Sequence, residues 1–92
     1  MSMEREYKAL ATEIVIQAAE DYFNALYWLK THKDREPDDK EVRHRTAMKI
    51  DCELFFRSNW CKQLTEIDGN RIIKAIRERV KDAKLNRFEL HS

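Results

Sequence analysis

The sequence predicts an all-α protein, a small helical bundle of three main helices plus one short helix, with a long N-terminal helix. Three observations carry this. The 92 residues hold one Gly and one Pro, too few for a sheet protein, whose hairpins turn on such residues. Ala, Glu, Lys, Arg, Leu and Ile are abundant, a composition suited to helices. Apolar residues recur at intervals of three and four, the period of a buried helical stripe. The length fits one domain over residues 1–92, with two or three frayed residues at each end and a modest core. Charged residues make up 38% but balance at net +1, unlike the lopsided charge of a disordered chain.

The first helix is expected from about Glu4 to Thr31. Tyr7, Leu10, Ala11, Ile14, Ala18, Tyr22, Ala25, Leu26 and Leu29 form its stripe, and Val15, Ala19, Phe23 and Trp28 widen it. At 1.5 Å per residue it would reach roughly 40 Å, long for so small a domain. The excess apolar width points to dimerisation or higher self-assembly through this helix. The polar run THKDREPDD follows and holds the only Pro, which disfavours helix at Glu36. Asp38 and Glu41 then have capping-box spacing. A second helix is expected from Asp39 to about Arg57, with Val42, Thr46, Ala47, Ile50, Leu54 and Phe55 inward. The short connection makes it an antiparallel neighbour of the first.

The stretch FFRSNWCKQLTEIDGN breaks the pattern twice. Ser58 can cap a short helix carrying Trp60 and Leu64. Asp68 can cap the next one, and Gly69 can take a positive φ. Phe55 or Phe56 with Trp60 would plug the corner between helices, because aromatic side chains dominate a small core. The competing reading is an exposed partner-binding cluster of Phe56, Arg57 and Trp60, since Trp and Arg are frequent at hot spots. The last helix should run from about Asn70 to Lys84 with Ile72, Ile73, Ile76, Val80 and Ala83 inward. The tail LNRFELHS has poor helical spacing.

Chemistry is sparse. His32, His44 and His91 are not spaced as metal ligands, and Glu41 with His44 gives a single E-x-x-H without a second copy. One Gly excludes a glycine-rich phosphate cradle. Cys52 and Cys61 read as reduced thiols in or near the core, which favours the cytoplasm. No run is long enough to cross a bilayer, and the start shows no signal-peptide core. No catalytic residue, metal or cofactor is expected, and so no enzyme.

Charge is unevenly placed. Residues 1–69 carry 11 Lys or Arg against 14 Asp or Glu, and residues 70–92 carry 7 against 3. Arg71, Lys74, Arg77, Lys81 and Lys84 form a basic stripe on the last helix, a candidate nucleic-acid contact. The order of short helix, Gly turn and basic helix matches a helix-turn-helix weakly, because Asn70 and Arg71 stand where an apolar anchor belongs.

Three runs, Ile14–Tyr22, Phe55–Trp60 and Leu64–Ile73, resemble runs in small uncharacterised helical proteins of prophages and mobile elements in Gram-positive bacteria. With their flanks they cover about half of the chain. The resemblance implies a phage-related, cytoplasmic, non-enzymatic accessory protein and transfers no site residue. The expected function is a protein-binding module, with a host defence or replication factor as the kind of target such a protein would meet. Alternatives are a nucleic-acid contact through the last helix and an oligomer that sequesters a small charged ligand such as a nucleotide.

Overall fold

Four helices follow one another along the chain: α1 (Ser2–Thr31), α2 (Lys40–Phe56), α3 (Asn59–Leu64) and α4 (Gly69–Asp82). The structure, a computed structural model, describes the backbone of residues 2–83 and the side chains of residues 9–83. Tyr7 and Lys84 as side chains, and the tail that follows, lie outside the described residues. Among the described residues there is no strand, and the fold is all-α as expected.

Contacts fix the helix directions. Tyr22 meets Glu53 while Trp28 meets Arg45, so α2 runs antiparallel to α1. Tyr22 meets Arg77 while Lys30 meets Val80, so α4 runs parallel to α1. α3 carries the chain across the end of this three-helix arrangement. The core is a continuous cluster of Tyr22, Phe56, Cys61, Ile73, Ile76 and Val80, with Val15, Ala18, Ala19, Phe23 and Leu26 packed against it. Tyr22 and Phe56 meet edge to face at 5.9 Å, a favoured geometry for aromatic pairs.

The caps explain where the helices start. Asp39, and not Asp38, caps α2: its carboxylate accepts from the amides of Glu41 and Val42 at 2.7 and 3.3 Å. One residue past the expected cap, Asp39 reaches these two amides and also pairs with Arg35 at 3.1 Å. Ser58 caps α3 by accepting from the Cys61 amide at 3.2 Å, and its hydroxyl donates back to the Phe55 carbonyl at 2.6 Å. Asp68 caps α4 by accepting from the Asn70 amide at 3.1 Å. Each cap satisfies donors that a helix start leaves open.

Gly69 is needed for a different reason from the one its position suggests. It is helical, and no glycine has a positive φ. A Cβ there would stand 1.7 Å from the Phe56 carbonyl oxygen. The glycine therefore lets the start of α4 press against the backbone at the end of α2.

Two apolar assignments differ from the sequence pattern. On α1, Ala11, Tyr22 and Ala25 are buried as expected, but Leu10 is 58% exposed. On α2 the helix is rotated: Glu53 and Phe56 are buried with Cys52 alongside, whereas Ala47, Ile50 and Leu54 face outward. The cause is that α2 has apolar residues on both sides, so spacing alone could not choose. Phe56 is the larger payload and Glu53 has partners waiting inside, and together they set the rotation. On α4, Ile73, Ile76 and Val80 are buried and Ile72 packs against the core, as the pattern requires.

Candidate binding groove

The polar centre of the fold ties three helices together. The Tyr22 hydroxyl donates to Glu53 Oε2 at 2.7 Å. Arg77 Nη2 donates to the same oxygen at 2.9 Å, and Arg77 Nε donates to the Tyr22 hydroxyl at 3.1 Å. A carboxylate taken from water this far demands such partners. Burial raises the Tyr22 phenol to about 12, reinforced by its bond to Glu53. Burial also pushes the Glu53 carboxyl up, but the Tyr22 and Arg77 hydrogen bonds outweigh it and hold it below its ordinary value. The Arg77 guanidinium is held above its ordinary value by the bond to Glu53.

Arg77 has a second role, because its side chain stays half exposed. It forms part of the wall of a groove of ≈510 Å³ between α1, α2 and α4. Leu26, Leu29 and Val80 make an aliphatic floor, and Thr46 adds a hydroxyl. Lys30, Lys33, Lys49, Arg77 and Lys81 surround it, with no carboxylate and no aromatic ring in the lining. Lys30 is already committed: its ammonium donates to the Val80, Lys81 and Ala83 carbonyls at 2.8, 3.0 and 2.8 Å. These are the open carbonyls at the end of α4, where a cation also suits the helix dipole. Among the described residues, Lys33, Lys49 and Lys81 make no salt bridge. Like charges gathered over an apolar floor create a field that attracts an anion.

The structure divides the residues singled out by sequence. Phe56 is 1% exposed and fills the core, so the expectation that it meets a partner is corrected: it packs on Tyr22 and Phe55 instead. Trp60 is 54% exposed and does not plug the corner; Cys61 takes the buried position on α3. Arg57 is exposed and donates to the Asn70 side chain at 3.2 Å. Phe56, Arg57 and Trp60 thus form no common surface patch.

The basic stripe also splits. Arg77 and Lys81 line the groove, Arg71 and Lys74 are exposed elsewhere on α4, and Lys84 lies outside the described residues. His32 is not simply solvated: it stacks on Trp28 at 4.0 Å, and the Arg35 and Arg45 guanidiniums lie 5.4 Å from that indole. Glu41 pairs with Arg45 at 2.8 Å rather than with His44. Both cysteines are free thiols pushed up by burial. Among the described residues no group of His, Cys, Asp or Glu is placed to hold a metal, and no helix is long and apolar enough to cross a membrane.

Sequence reasoning missed the groove because its cations come from three helices and the loop after α1. The available signals were Arg77 and Lys81 in the basic stripe, and Lys49, a charged residue on the side of α2 that carries Glu53 and Phe56. The fold and groove define an all-α chain with a cationic, aliphatic-floored cleft. No family model, curated protein or solved structure matches the chain.

Proposed function

We propose that this chain is a non-catalytic protein-binding module that takes an acidic, amphipathic helical segment of a partner protein in its groove. The carrying observation is the lining: Lys33, Lys49 and Lys81, which make no salt bridge among the described residues, stand around Leu26, Leu29 and Val80, with no carboxylate in the lining. A helix laid in such a groove buries its apolar anchors on the floor and sets its carboxylates against the rim. The accessory role implied by the resemblance to mobile-element proteins is compatible with this reading.

The alternatives fit the lining less well. A nucleotide site would profit from a ring to stack the base, and the lining has none. A nucleic-acid face along α4 would use Arg71, Lys74, Arg77 and Lys81 together, but Arg77 is tied to Glu53 and only Arg77 and Lys81 reach the groove.

The test is fluorescence anisotropy with three labelled probes: an acidic amphipathic helical peptide, a single-stranded oligonucleotide and ATP. The peptide is expected to bind, to weaken with salt, and to lose at least tenfold in affinity with Lys49→Gln/Lys81→Gln. Binding of the oligonucleotide or ATP in place of the peptide would replace the reading.

A further inference from the structure

The first half of α1 has the chemistry that the groove lacks. Residues 9–29 contain no Lys, Arg or His, and they carry Glu13, Glu20 and Asp21. Leu10, Glu13, Ile14, Ile16, Gln17 and Glu20 surround a shallow depression of ≈430 Å³ on this helix. Leu10 and Ile16 are 58% and 49% exposed there, so the surface alternates apolar side chains with carboxylates. It is an acidic amphipathic helix face whose depression, among the described residues, is lined by α1 alone. The groove is its counterpart, with cations around an aliphatic floor. One chain therefore carries both members of a complementary pair.

We infer that the groove takes the Leu10–Glu20 face of a second copy of this chain, so that copies join head to tail. This deepens the helix-in-groove reading above and rests on it. Leu10 and Ile16 would supply apolar contact to Leu26, Leu29 and Val80, with Glu13 and Glu20 set against Lys33, Lys49 and Lys81. The two surfaces cannot pair reciprocally across a simple two-fold. Gln17 and Leu26 are nine residues apart, about two and a half turns, which puts them on opposite sides of α1. A copy that fills one neighbour's groove thus leaves its own groove open to another. Such a heterologous contact gives rings or open chains of copies.

The experiment is sedimentation velocity on the whole chain from low micromolar to several hundred micromolar, at low and high salt. The wild type is expected to sediment faster as concentration rises and to lose that shift in high salt. Glu13→Gln/Glu20→Gln and Lys49→Gln/Lys81→Gln should each remain monomeric alone. Mixed, they should form a one-to-one dimer and stop there, because one supplies an intact groove and the other an intact face. Far-ultraviolet circular dichroism checks that both variants are folded, since all four positions are solvent-facing or line the open groove. A wild type that stays monomeric throughout would overturn the inference. So would self-association that both variants retain, which would place the contact elsewhere, for instance at Ile50 and Leu54. If the wild type is monomeric but still binds the acidic peptide in its groove, only the self-recognition fails and the underlying reading stands.

Discussion

At the scale of single residues, Tyr22 makes the sharpest claim. Its hydroxyl is buried and donates to an ionised Glu53, so the neutral phenol is favoured in the folded state and the value rises to about 12. In the unfolded chain a tyrosine titrates near ~10. The folded state therefore keeps a proton that the unfolded state gives up between these values. The resulting stability is present in full below pH ~10 and falls as pH rises toward ~12, by about 2 to 3 kcal/mol. Tyr22→Phe removes the hydroxyl and its bond to a charged acceptor, which costs about 2 kcal/mol at pH 7. Urea titrations of both proteins should show that gap closing between pH 10 and 12. A gap that stays constant to pH 12 would mean that Tyr22 ionises as an ordinary phenol and that the hydrogen-bonded geometry is wrong.

At the scale of elements, α2 shows both what spacing can reveal and where it stops. Its outward residues Ile50 and Leu54 are 46% and 62% exposed, although their three- and four-residue intervals read as a core stripe. Replacing both with Lys is expected to cost less than about 1 kcal/mol, because substitutions on an open surface seldom cost more. Ile73→Ala, in contrast, should cost about 2 to 4 kcal/mol, since Ile73 is 2% exposed within the core. Thermal melts of the two variants side by side decide the matter: unfolding by the Ile50→Lys/Leu54→Lys pair would return that face of α2 to the core. The helices themselves were legible. Ser58 and Asp68 announced the starts of α3 and α4, and α4 has apolar residues on one side only, so its buried face could be read directly. The rotation of α2 was hidden because its anchor, Glu53, is a charged residue whose burial depends on Tyr22, 31 residues away, and on Arg77, 24 residues away. Lys30 was hidden for the same reason: nothing near it in sequence shows the carbonyls of Val80, Lys81 and Ala83 that it meets. The groove inherits this limit in part: Arg77 and Lys81 stand out in the basic stripe of α4, but that they share a cleft with Lys30, Lys33 and Lys49 shows only once the helices are set side by side.

At the scale of the whole molecule, helix lengths and the Tyr22–Glu53–Arg77 tie set where cooperativity should lie. α1 has 30 residues against 17 in α2 and 14 in α4, or about 45 Å against about 25 and 21 Å. Neither partner helix can line the whole of α1. Its polar contacts to the others run from Tyr22, which meets Glu53 and Arg77, to Lys30, which meets the end of α4, and its apolar packing on the core reaches back to Val15. Amides of α1 from about Ala18 onward, with those of Cys52–Phe56 and Ile73–Val80, belong to one packed unit and should open only when the molecule unfolds. Amides around Leu10 and Glu13, whose side chains are exposed, rely more on helix formation itself, and a short helical segment with little packing is marginal in water. Native-state hydrogen exchange in dilute solution should therefore give one common, high protection for the packed set and protection lower by tenfold or more around Leu10 and Glu13. Raising the protein concentration should increase protection around Leu10–Glu20 if that face enters a neighbour's groove, leaving the packed set unchanged, because binding to the folded form alone adds stability where the contact is made. Equal protection along all of α1 at every concentration would contradict this division, and with it the view that the first half of α1 is a surface awaiting a partner.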